Sequence, residues 1–129
     1  MFRCLYAVLR SFAPAFEGLC WALRTQRNLR VHAAAVVIVT SAGVWLGLQA
    51  WEWCAVLLAA GLVLTAELLN TAVEALADRV SREREEAIRR VKDVAAAAVL
   101  IAALISVVVG FIVFLPKLWR LFENVPSTP

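Results

Sequence analysis

Charged residues are scarce in this chain of 129 residues. Only 18% of the residues are charged, whereas 63% are apolar, and a soluble globular domain has roughly 45 to 50% apolar residues. An excess of this size excludes an ordinary soluble fold. A helix that crosses a bilayer needs about 20 mostly apolar residues. The chain therefore holds three such helices and has no room for a separate soluble catalytic domain.

Familiar motifs of metal sites and nucleotide sites are also absent from the sequence. The three cysteines form no CxxC pair and have no histidine at a spacing that suits zinc, which excludes a zinc site. No GxxxxGK[ST] segment occurs, and the glycine-rich loop and lysine strand of protein kinases are missing. Any ATP-dependent chemistry would need another architecture, built from the membrane helices and their connections.

The apolar segments predict an all-α membrane protein that forms one domain over residues 1–129. The third segment is expected to end at Pro116, because proline interrupts helices, and Asp93 is expected to cap its start. A charged loop precedes it, in which 11 of the 16 residues from Asp78 to Asp93 carry charge. The predicted transmembrane helices are 31–50, 53–77 and 94–115, and the predicted loop is 78–93.

The first thirty residues predict an amphipathic helix that lies on the membrane surface. Apolar residues recur at helical three-to-four spacing from Phe2 to Leu23, with arginines between them and a break at Pro14. Five arginines precede the first span, six basic residues lie between the second and third spans, and two follow the third. The positive-inside rule therefore predicts that the N-terminus and the loop are cytoplasmic and the C-terminus is outside.

Four polar residues in the second span, Glu67, Asn70, Glu74 and Asp78, form what we call the polar face. Their spacing of 0, 3, 7 and 11 places them within about 80° around one helix at about 100° per residue. Counted from Trp53 at about 1.5 Å per residue, Glu67 lies inside the inner leaflet and Glu74 at its boundary. A carboxylate in hydrocarbon costs at least about 2.5 kcal/mol, so this face must contact protein, metal or water.

The polar face has a structural and a functional interpretation. Its side chains could hydrogen-bond between helices and hold an oligomer together, and the GxxxG segment from Gly43 to Gly47 would permit close helix packing. Its depth favours a functional role, because it spans the zone where a lipid hydroxyl meets a water-soluble reagent. Carboxylates opposite Lys92 at the membrane surface suit Mg²⁺ and nucleotide phosphates.

Two segments carry a resemblance to a known family. ELLNTAVEALAD, from Glu67 to Asp78, and KDVAAAA, from Lys92, are similar to the signature of the small prokaryotic integral-membrane diacylglycerol kinases. The resemblance extends from about residue 15 to residue 115. The segment TQRNLRVH, from Thr25 to His32, is more similar to the undecaprenol kinases of that family.

The resemblance implies a homotrimer with active sites where neighbouring chains meet. It implies Glu67 as the catalytic base and a substrate contact together with Asn70, and it implies Glu74 as a metal ligand that also contacts ATP. Asp78 matches a further polar position of the motif. The resemblance places the remaining ATP contacts at Lys92, Asp93, Glu83 and Glu85.

The sequence departs from the family pattern at two positions. Gln26 stands where the family often has a second acidic metal ligand and, as a neutral amide, is expected to bind magnesium more weakly. Either metal binding then depends mainly on Glu74, Glu67 and the ATP phosphates, or activity is reduced. Glu85 stands where the family often has a histidine. His32 matches a histidine of the undecaprenol-kinase-like members, and we expect it to pack at the membrane interface.

The sequence therefore predicts a lipid kinase of the prokaryotic inner membrane that uses ATP and Mg²⁺. Its substrate is expected to be a membrane lipid alcohol, undecaprenol first and diacylglycerol second, with no nucleic-acid partner. The alternative from another class is a small oligomeric channel or ion carrier whose pore is lined by the same carboxylates. A pore, however, gives no reason to place Lys92 and Asp93 beside the polar face.

Overall fold

The computed structural model describes the backbone of residues 2–80 and 85–123, with side chains from residue 12 onward except Phe122. All four elements found in these ranges are helices, which confirms the all-α prediction. Three of them, α2 to α4, are long and apolar enough to cross a membrane. The helices are α1 (Phe2–Thr25), α2 (Arg27–Trp45), α3 (Ala50–Val80) and α4 (Glu86–Glu123).

A tight turn joins α2 to α3 and brings the two helices together. Gly47 has a φ of +63°, a left-handed conformation that glycine adopts without steric cost. Gly43 lies against the indole of Trp53, and a Cβ atom at that position would come within 2.9 Å of the ring. The GxxxG segment therefore serves packing and turn formation within the chain, because Gly43 is covered internally and Gly47 lies outside the helix.

α3 and α4 pack side by side over most of their length and hold the core of the chain. Val56 of α3, Val113 of α4 and Leu48 from the turn form a buried cluster. Nearer the middle, the hydroxyl of Ser106 donates a hydrogen bond to the carbonyl oxygen of Ala59 across the two helices, at 3.1 Å. Many large apolar side chains of α2 to α4 remain exposed in the single chain, as expected for surfaces that face lipid or other copies.

An ion pair joins α3 to α4 at each end of this helix pair. Lys117 contacts Glu52 at 2.9 Å at one end, and Lys92 contacts Asp78 at the other. Glu52 also accepts a hydrogen bond of 2.6 Å from the backbone N–H of Gln49, which fixes the start of α3. The two acidic residues are 26 positions apart, which is about 39 Å along a helix.

Three predictions about helix ends are wrong. Pro14 lies inside α1 and Pro116 lies inside α4. Proline removes one backbone hydrogen bond, and in membrane helices neighbouring groups and local adjustments compensate for that loss. Asp93 does not cap α4, because α4 begins at Glu86. The first turns of α4 are stabilised by good helix formers and by an ion pair of 2.5 Å between Glu86 and Arg90.

Candidate active site

The side chains of the polar face become more exposed along α3, from Glu67 to Asp78. Glu67 is only 3% exposed and Asn70 is also buried, whereas Glu74 is half-buried and Asp78 is exposed. All four residues lie within the unbroken helix α3, which keeps them on one side. The structure thus gives one buried carboxylate at the inner end of a polar face that opens towards the helix terminus.

Glu67 contacts a side chain from another helix. The Nε2 atom of His32, on α2, lies 3.3 Å from the Oε1 atom of Glu67. His32 is half-buried, with 27% of its side chain exposed, whereas Glu67 is covered. The packing of α2 against α3 therefore gives the buried carboxylate a nitrogen partner that no local spacing in the sequence predicts.

Asn70 and Glu74 lie one turn apart on α3 and interact directly. The amide nitrogen of Asn70 donates a hydrogen bond of 3.1 Å to the Oε1 atom of Glu74. The amide oxygen of Asn70 is buried and accepts no hydrogen bond from the residues described. Such an oxygen carries a cost unless it finds a partner, and Mg²⁺ is a cation that takes oxygen ligands.

The cytoplasmic end predicted for the polar face carries the contact between Lys92 and Asp78. Lys92 of α4 reaches across to Asp78 of α3, so the structure brings together two residues that the sequence placed at separate ends of a loop. Asp93 follows on α4 with an exposed side chain, and Glu85 is exposed just before α4. Glu83, predicted to contact ATP, lies outside the described residues.

Gln26 lies at the break between α1 and α2. It occupies the N-cap position of α2 in an extended conformation, without a hydrogen bond from its side chain to the helix end. Arg30 strengthens this junction by donating a hydrogen bond of 2.9 Å to the carbonyl oxygen of Arg24. The side chain of Gln26 is half-buried.

The candidate metal donors in the described part of the chain are few. No three His, Cys, Asp or Glu side chains in residues 12–80 and 85–121 lie close enough together to hold a metal ion. Magnesium in nucleotide enzymes is held by one or two carboxylates together with the substrate phosphates. Glu74 and the unpaired amide oxygen of Asn70 fit that smaller donor set.

An apolar groove runs from the site along α2, α3 and α4. Its volume is about 120 Å³; His32 stands among its lining residues, with valines and alanines from α2 and α3 and Phe114 from α4. Two hydroxyl groups also line it, those of Thr40 and Ser106. Both donate to backbone carbonyl oxygens, so neither offers a free donor to a ligand. The groove therefore suits a hydrocarbon chain.

The sequence did not predict two side-chain contacts between helices, namely His32 with Glu67 and Glu52 with Lys117. The first joins residues 35 positions apart, and its one signal is that His32 is the only histidine in the chain. The second had a clearer signal, because Glu52 and Lys117 flank apolar segments at the same predicted side of the membrane. Antiparallel pairing of α3 with α4 would have brought them together.

Comparison with known proteins identifies a group of similar sequences. The sequence model of the prokaryotic diacylglycerol kinases matches residues 13–114, a range that includes every candidate residue from Gln26 to Asp93. The undecaprenol kinase of Bacillus subtilis is 38% identical over 109 residues, which cover 84% of this chain and 89% of that protein. The diacylglycerol kinase of Synechocystis is 41% identical over 115 residues, or 88% of this chain and 66% of that protein. The diacylglycerol kinase of Escherichia coli K12 is 31% identical over 101 residues, or 78% and 83% of the two chains.

Proposed function

The chain belongs to the prokaryotic diacylglycerol kinase family, and from this premise we propose that it phosphorylates the hydroxyl group of a membrane lipid alcohol at Glu67. Membership makes the protein a lipid kinase, with ATP as the phosphoryl donor, embedded in a prokaryotic membrane. Undecaprenol is the first candidate substrate and diacylglycerol the second. The order follows the likeness of the segment from Thr25 to His32 to undecaprenol kinases.

One observation carries the proposal, the burial of Glu67 beside the groove. An ionised carboxylate that is 3% exposed in an apolar helix is costly. A hydroxyl group brought to it by a lipid can hydrogen-bond to that carboxylate and transfer its proton. The groove that His32 lines leads away from this carboxylate, and we propose that it holds the hydrocarbon chain of the same lipid.

The residues of the polar face divide the remaining work of phosphoryl transfer. Glu67 accepts the proton of the lipid hydroxyl, and Lys92 offsets negative charge on the phosphates of ATP. Glu74 and Asn70, with Gln26, would hold a Mg²⁺ ion, which when bound neutralises phosphate charge. Positioning and electrostatic stabilisation do most of the catalysis in this chemistry. The groups proposed for it come from one face of α3, from α4 and from the start of α2.

The exposed apolar surface of one copy supports an assembly of several copies. Large apolar side chains are exposed on two helices, among them Phe12 and Phe16 on α1 and Leu58 on α3. We propose a homotrimer with sites between subunits. In each subunit α1 lies on the inner membrane surface, the N-terminus is cytoplasmic and the C-terminus is outside.

The channel alternative has no support from the family match. An ion path also gives no reason for Lys92 to contact Asp78. A kinase explains the same lysine as a partner for phosphate.

A phosphotransfer assay tests the proposed function. Purified protein in mixed micelles is given labelled ATP and either undecaprenol or diacylglycerol, and labelled lipid is separated and counted. We expect transfer to undecaprenol at the higher kcat/KM and no transfer without Mg²⁺. Absence of transfer to both lipids would refute the proposal.

A further inference from the structure

His32 is a polar group at the site for which the proposed mechanism has no use. It lies on α2, the helix before the one that carries the polar face, and its ring reaches Glu67 across the interface between α2 and α3. Among the described residues, no other side chain lies within ion-pair or hydrogen-bond distance of the Glu67 carboxylate. Within the part of the chain that the structure describes, His32 is therefore the side chain placed to set the orientation of the Glu67 carboxylate.

The proposed role of Glu67 decides which atom donates. A base is ionised before it accepts a proton, and an ionised carboxylate only accepts hydrogen bonds, so under that role Nε2 of His32 is the donor to Oε1 of Glu67. The distance of 3.3 Å is long for a hydrogen bond. Contacts of this kind in active sites without substrate are often long and shorten when substrate binds. The second carboxylate oxygen, Oε2, is then left for another partner.

We propose that His32 is a positioning residue for the catalytic base. By donating from Nε2 to Oε1, the imidazole holds the Glu67 side chain in the rotamer that presents Oε2 to the lipid hydroxyl. This inference rests on the proposed function, in which Glu67 accepts a proton from a lipid hydroxyl group. It goes beyond that function by giving His32 a role in orienting Glu67, whereas the sequence predicted only packing at the membrane interface for His32.

The groove strengthens the assignment. His32 lines the groove and also contacts Glu67. Its imidazole ring therefore lies between the space proposed for the hydrocarbon chain and the carboxylate proposed to accept the proton. A lipid whose chain lies in the groove places its hydroxyl group near this ring. The histidine thus orients the base at the point where the hydroxyl arrives.

Two amide substitutions test the proposal and serve as controls for each other. In His32→Gln the amide nitrogen lies about as far from the backbone as Nε2, so it can still donate to Glu67. In His32→Asn an amide of the same polarity lies one methylene group closer to the backbone and cannot reach. Both variants keep a neutral polar side chain, and the two differ mainly in reach. Thermal melting and the oligomer profile in detergent establish that each variant is folded.

The readout is the split between kcat and KM with the better lipid substrate. We expect His32→Gln to keep kcat within about threefold of the wild type. His32→Asn should lose about ten- to hundredfold in kcat, since hydrogen bonds to charged groups contribute in that range. The KM for ATP should stay unchanged in both variants, because ATP binds at the other end of the polar face.

Equal kcat values for the two variants would overturn the proposal, whether both are active or both inactive, because reach would then have no effect. A His32→Asn variant that loses activity only in proportion to its folded fraction would overturn it as well. An inactive wild-type protein would refute the proposed function and with it this inference. An active wild type with unaffected His32 variants would refute the inference alone.

Discussion

Replacing Glu67 with glutamine removes the proposed base while leaving the packing of α3 intact. Glutamine has nearly the same shape as glutamate, so the buried site, only 3% exposed, gains no cavity. Its amide oxygen can still accept from Nε2 of His32. Its amide group cannot take a proton from a lipid hydroxyl. The substitution therefore separates the chemistry of Glu67 from its structural contribution.

The expected loss follows from what a positioned base contributes. General acid–base catalysis supplies about 10²- to 10⁴-fold in rate, which corresponds to about 2.7 to 5.4 kcal/mol of activation free energy. We expect Glu67→Gln to fall near the upper end. The carboxylate is buried, and water has little access to replace it. The KM for ATP should change much less, because Glu67 lies on the lipid side of the polar face.

The assay is phosphotransfer in mixed micelles, with kcat measured per folded protein and thermal melting in the same detergent. Glu52→Gln is the matched control, because it makes the same substitution in the same helix, 15 residues away. This control removes the negative charge that faces Lys117, so we expect a lower melting temperature. Its kcat should stay near wild type. A Glu67→Gln variant with near wild-type kcat would refute the role of Glu67 as the base.

The remaining predictions concern ATP, metal and assembly. Lys92→Ala should lower kcat/KM for ATP by about ten- to hundredfold, as expected when a charged donor to phosphate is lost, with a smaller effect on the KM for lipid. Asp78→Asn keeps the lysine and should cost less, and an unchanged KM and rate for ATP in Lys92→Ala would contradict the assignment. Gln26→Glu should lower the Mg²⁺ concentration needed for half-maximal activity, because a full negative charge favours a dication in a partly desolvated site; an equal or higher requirement would exclude Gln26 from the metal shell. Inactive variants at Gln26 and at Glu74 should restore activity when they are assembled together, and their failure to do so would argue against sites shared between subunits.

Local patterns predicted much of the fold and part of the site. The spacing of the polar face required only that α3 be one continuous helix, and the hydrogen bond between Asn70 and Glu74 is the neighbour relation that such spacing implies. The three long apolar helices followed from composition, because a membrane demands a minimum apolar length. These features depend on residues close together in the sequence.

The features that the sequence did not predict depend on contacts between residues of different helices. The sequence predicts a helix end at Pro116, but α4 continues past it, and Lys117 just beyond it binds Glu52 of the neighbouring helix. The contact between His32 and Glu67 depends on the rotation of α2 against α3, which no pattern within either helix determines. Gly43 looked like a surface for another helix, whereas the indole of Trp53 from the same chain fills that position.

The ion pairs at the two ends of α3 and α4 are separated by about the thickness of a bilayer with its headgroups. Charged pairs stay near the headgroups, and the distance of about 39 Å between them is fixed by helix length. A bilayer of mismatched thickness can therefore be accommodated only by tilting the helices or deforming the lipid, each at a small cost. Glu67 lies 11 residues from Asp78, or about 16 Å along the helix. Under the proposed function, a lipid hydroxyl must therefore reach Glu67 at that distance from the Asp78 and Lys92 end of the helix pair.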